Sequence, residues 1–177
     1  MESKDLFRHY EFEPGDVLEK ARHFVRQVGY EVINPEPVGF VVPDIHGERD
    51  TSDKRCEILG IVLENMDDAE VVTAFARLQA LKAVKGEDAD YSLIMPPVNE
   101  YLLIEFLEKN QGWRYLALRD LNIMWWLLNP EEKNVWCIVG APRDDLFLSY
   151  FTLEKVSFDQ VVGMKIMRQS LLDEEDF

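Results

Sequence analysis

The sequence is short of cysteine, of basic residues and of long apolar runs. Only Cys56 and Cys137 occur, each inside an apolar stretch, and no Cys-x-x-Cys is present. That pattern removes zinc ribbons and thioredoxin chemistry, and it favours buried thiols in a reducing compartment over a disulfide. Lys and Arg number 19 against 34 Asp and Glu, for a formal net charge of −15 and a pI near 4.5. Gripping a phosphate backbone takes clustered Lys and Arg, so nucleic acid binding here would need a local basic patch. The longest apolar run, Ile123 to Leu128, falls far short of the ~18 residues of a membrane helix. The opening MESKDLFRHYEF holds no apolar signal segment, so the expectation is a cytoplasmic protein with no membrane partner. There is no Gly-rich phosphate loop, serine nucleophile elbow or His-Glu-x-x-His run. Nucleotide hydrolase, serine hydrolase and zincin readings therefore have no support.

What is present is an ordinary globular composition, 47% hydrophobic and 30% charged over 177 residues, which fits one domain spanning 1–177. A helix is expected from Asp16, with Glu19 completing a capping box and Val17, Ala21, Phe24, Val25 and Val28 at helical spacing up to Gly29. Tyr30–Ile33 and Val38–Val42 read as two strands joined by a turn at Pro35-Glu-Pro37. Residues 43–55 read as a polar loop. Glu57–Glu64 is nearly continuously apolar, as in a central strand covered on both faces. Asp67 or Asp68 opens a second helix that ends at Gly86. A strand at Tyr91–Met95, a helix at Val98–Lys109 and a strand at Arg114–Leu118 complete an α-β-β-β-α-β-α-β order over 14–118, a mixed sheet with helices on its faces. Residues 119–177 read as an antiparallel β meander followed by a terminal helix from the capping box Ser157-Phe-Asp-Gln160.

This order, with Pro43-Asp44 before an apolar strand that closes on Glu64, resembles the PD-(D/E)xK nuclease superfamily, the restriction-endonuclease-like fold. The resemblance implies an α/β scaffold in which Asp44 and Glu64 are catalytic and ligate Mg²⁺ or Mn²⁺ for phosphodiester hydrolysis of nucleic acid. Hard oxygen ligands suit such cations, and the chemistry also wants a cation near the developing charge. The triplet departs from the family pattern: Glu64-Asn65-Met66 has methionine in place of lysine, and the other frame, Glu57-Ile58-Leu59, also lacks it. Lys82 lies far along the next helix, whereas Lys54 and Arg55 precede the strand. The family's first-helix glutamate corresponds to Glu19, which already has a capping role. An inactive domain used for protein association is the alternative reading, favoured by the missing lysine and the −15 charge.

Two features stand outside that frame. Asp44, His46, Glu48 and Asp50 alternate, so an extended backbone would put them on one face, where they could hold a metal without any nuclease role. Trp113, Trp125, Trp126 and Trp136 crowd the C-terminal third with Tyr115, Phe147, Tyr150 and Phe151. Trp125 and Trp126 must face opposite sides of a strand, so they need either covering layers or a partner, most simply a symmetric homodimer.

Overall fold

A computed structural model of the chain describes residues 13, 15–64, 67–96, 117–129 and 134–143. Helix α1 (Asp16–Gln27) precedes strands β1 (Glu31–Val32), β2 (Ile45–Asp50) and β3 (Arg55–Val62). Helix α2 (Asp68–Lys85) and a 3-10 turn (Gly86–Asp88) lead to β4 (Asp90–Met95), and β5 (Ile123–Asn129) and β6 (Asn134–Val139) complete the sheet. The six strands lie in sequence order, antiparallel from β1 to β3, parallel from β3 to β5 and antiparallel again at β6. A helix, three antiparallel strands, a helix and a parallel strand make the α-β-β-β-α-β order of the restriction-endonuclease-like class.

The sheet divides the core in two. On one face α1 packs Val17, Ala21, Phe24 and Val25 onto Ile45, Ile58, Ile94 and Trp126. On the other, α2 packs Val71, Phe75, Leu78 and Leu81 onto Leu59, Ile61, Leu93 and Trp125. Both tryptophans are fully buried, one per face as strand alternation requires. Trp126 meets the Phe24 ring edge-on at 5.6 Å, and Trp125 Nε1 donates to Met95 Sδ. This pair is therefore core sealed by the chain's own helices. The other aromatics of the C-terminal third lie outside the described side chains. β4 is buried at every position, the pattern of a strand covered on both faces, and Cys56 and Cys137 are buried thiols outside any disulfide.

Three local expectations change. Gly15, with φ +91°, is the N-cap of α1, and the Asp16 carboxylate accepts instead from the Glu13 N–H. The second strand is Ile45–Asp50, within the stretch that reads as a polar loop, while Val38–Val41 is only an isolated bridge. A turn closed by Thr51, whose N–H and hydroxyl both donate to the Lys54 carbonyl, pairs this segment with β3. Its polar face thereby lies within the sheet, beneath α2. Residues 117–120 are helical, so a strand through Leu118 does not form. The expected helix at 98–109 and the elements beyond 143 lie outside the described residues. Among the described residues, no helix is long and apolar enough to cross a membrane.

Candidate functional site

The β2–β3 register sets the geometry. Ile45 pairs with Gly60, His46 with Leu59 and Glu48 with Glu57. Directly opposed residues share a face, and Leu59 belongs to the α2 side. Asp44, His46 and Glu48 therefore form a row along the sheet beneath α2.

Asp44 stands one residue before β2, where its N–H donates to the Gly60 carbonyl. Its Oδ2 accepts from the Val62 N–H at 2.8 Å, which binds the carboxylate to the exit of β3. Above it, Arg77 of α2 places Nη2 3.5 Å from Asp44 Oδ1 and donates to the Val42 carbonyl at 2.6 Å. Both side chains are about one-third exposed. Beside them opens a cleft of about 320 Å³, lined by Ile61, Val62, Leu63, Glu70, Thr73 and Arg77 among others. Arg77 carries no sequence signal that pairs it with Asp44, because the two lie 33 positions apart on different elements.

Glu64 follows β3 by two residues and is exposed. Its Oε1 accepts from the Gly15 N–H at 2.8 Å, so it sits at the N-terminus of α1, where a negative charge is favoured by the helix dipole. Both sequence-derived acids thus lie at the same end of the β2–β3 pair, Asp44 on the α2 side of the sheet and Glu64 at the start of α1 on the other. Each has one oxygen on a main-chain amide. Glu19 faces solvent and pairs with Arg22 at 3.6 Å.

Two to four residues beyond Asp44 along the row is a second constellation. His46 Nε2 lies 2.6 Å from Glu57 Oε1 and 3.7 Å from Glu48 Oε1. One ligand atom from each of these three residues falls within 4.8 Å of the other two. Lys85 at the end of α2 approaches Glu57 at 3.1 Å, and Arg55 pairs with Glu48. Asp50, opposite Arg55 in the ladder, is exposed. Tyr91, whose hydroxyl donates to the Gly86 carbonyl at 2.7 Å, has its pKa pushed up to about 12, first by burial and then by Glu57 and Glu87. A cavity of about 450 Å³, lined by Lys54, Arg55, Glu57, Asp90 and Arg143 among others, opens beside Glu57.

No family model matches the chain, and no curated protein matches it. Among solved structures it is similar to an XisH family protein from Nostoc punctiforme PCC 73102, at 13% identity and a TM-score of 0.48, over 68% of this chain and 96% of that one. It is also similar to an fdxN element excision controlling factor protein from Anabaena variabilis, at 13% identity and a TM-score of 0.47, over 68% of this chain and 95% of that one. A repair endonuclease from Pyrococcus abyssi is similar at 19% identity and a TM-score of 0.43, over 70% of this chain and 50% of that one. At these identities the likeness carries no chemistry.

Proposed function

We propose that the chain is a divalent-metal-dependent phosphodiesterase acting on nucleic acid, a divergent member of the PD-(D/E)xK nucleases, with Asp44 and Glu64 as its metal ligands. The observation that carries this reading is the Asp44–Arg77 pair, whose arginine lines the cleft. It puts a cation beside the first acid, which is the element missing from the triplet.

The donor set fits a hard cation. Asp44 Oδ1, which faces Arg77, and Glu64 Oε2 are the oxygens not held by the Val62 and Gly15 amides, and carboxylate oxygens are the donor type that suits Mg²⁺ or Mn²⁺. Such an ion, when bound, acidifies a water and polarises the phosphoryl group. The chain's own contribution is positional. The two amide contacts fix the carboxylates, and the Arg77 guanidinium supplies a planar donor for a phosphoryl oxygen.

A second reading, a non-catalytic association module on the same scaffold, is favoured by those same amide contacts, which already give each carboxylate a structural role, and by the −15 charge. Assays on single- and double-stranded DNA and RNA with Mg²⁺ or Mn²⁺ separate the two. The phosphodiesterase reading expects cleavage that falls by about 10²–10³-fold in Asp44→Asn and in Arg77→Ala with the fold intact. Absence of cleavage by the wild type on all of these substrates would favour the association module.

A further inference from the structure

We infer that His46, Glu48 and Glu57 form a binding site for a transition-metal dication of the Zn²⁺ class, separate from the Asp44 position and independent of the phosphodiesterase reading. The backbone builds the cluster. Glu48 and Glu57 are direct partners in the antiparallel ladder, an arrangement that is unfavourable for like charges unless a cation lies between them. His46 precedes Glu48 by two residues, so it shares that face and lies diagonal to Glu57. All three side chains are largely buried, with 8%, 24% and 12% exposure for His46, Glu48 and Glu57.

The distances fit one ion. Ligand atoms held tetrahedrally at ~2.0–2.2 Å from a metal are about 3.3–3.6 Å apart. His46 Nε2 and Glu48 Oε1 already stand at 3.7 Å, and the 2.6 Å approach of His46 to Glu57 would open by only about 1 Å. A second observation concerns the ring itself. Among the described residues His46 Nδ1 is buried without a hydrogen-bond partner, so the imidazole is under-satisfied in either tautomer and is not held in its present contact by a second bond. The nitrogen ligand sets the preference, because imidazole suits Zn²⁺ and its first-row neighbours whereas Mg²⁺ takes oxygen ligands.

Arg55 and Lys85 now neutralise the glutamates, and both reach the site on long, partly exposed stems. An incoming dication displaces them without moving the strands. The cavity beside Glu57 gives it a route in. Three protein ligands leave a coordination position open, as in catalytic zinc sites rather than closed structural ones.

The test is calorimetric titration of Zn²⁺ into the full chain, with Co²⁺ absorption as a second readout of nitrogen and oxygen ligation. The expected result is one ion per chain at micromolar Zn²⁺, undisturbed by millimolar Mg²⁺. Affinity should fall by about a hundredfold in Glu48→Gln and in His46→Gln, in line with loss of a ligand. Glu48→Gln changes a partly exposed position and keeps the test valid if the buried histidine variant fails to fold. Asp44→Asn should bind Zn²⁺ as the wild type does, so that failure of this site and failure of the phosphodiesterase reading are told apart. Absence of binding at micromolar Zn²⁺, or equal affinity in Glu48→Gln and wild type, would overturn the assignment.

Discussion

Glu48 and Glu57 face each other across the β2–β3 ladder, and Lys85, reaching down from the last turn of α2, is one of the cations that make the pairing tolerable. A buried carboxylate that loses its partner is destabilising, though a partly exposed lysine contributes less than a buried one. Lys85→Met is therefore expected to lower stability by roughly 1 kcal/mol in urea denaturation. The same change should raise Zn²⁺ affinity several-fold, because it removes the charge competing for Glu57. A variant that loses stability and metal affinity together would contradict the competition.

Gly47 lies between His46 and Glu48 on the opposite face of β2, beneath α1. A Cβ there would meet Ile58 Cγ2 and Val25 Cγ1 at 2.9 Å each, and both belong to the packed core. Gly47→Ala is expected to cost about 1–3 kcal/mol by overpacking, read as a lower urea midpoint. Gly15→Ala tests a different effect: nothing lies within 4 Å of its Cβ, but φ is +91°. Its cost should therefore be strain, about 1 kcal/mol.

Tyr91 gives a pH dependence with a definite sign. Its folded pKa is raised to about 12, chiefly by burial, above the unfolded value of about 10. The neutral phenol thus contributes stability that is fully present below about pH 10 and is lost as pH rises through the folded pKa. Tyrosine absorbance should show one residue titrating near pH 12. Tyr91→Phe should flatten this part of the alkaline loss of stability.

Both described helices were legible in the sequence. The apolar spacing of Val17, Ala21, Phe24 and Val25 marks α1, and Asp67, whose side chain accepts from the Ala69 N–H, caps α2 as its position indicates. Their glycine stops, Gly29 and Gly86, also hold, each with positive φ. The β2 strand was not legible, because Ile45-His-Gly-Glu-Arg-Asp50 has only one apolar side chain and reads as loop. Its polar face is satisfied by residues from β3 and α2, which no local pattern encodes. Alternation of His46 and Glu48 was visible, but their third partner is Glu57 from the facing strand, in place of Asp44 and Asp50. Arg77 and Lys85 were invisible for the same reason: helix α2 brings them over the sheet from far along the chain.

The most direct measurement is calorimetric titration of Mg²⁺ into wild type, Asp44→Asn and Glu48→Gln, since a hard-cation site at Asp44 underlies the proposed chemistry. The account predicts binding by the wild type that is abolished in Asp44→Asn and kept in Glu48→Gln. Wild type that takes up no Mg²⁺ at millimolar concentration, or Asp44→Asn that binds as well as wild type, would contradict it.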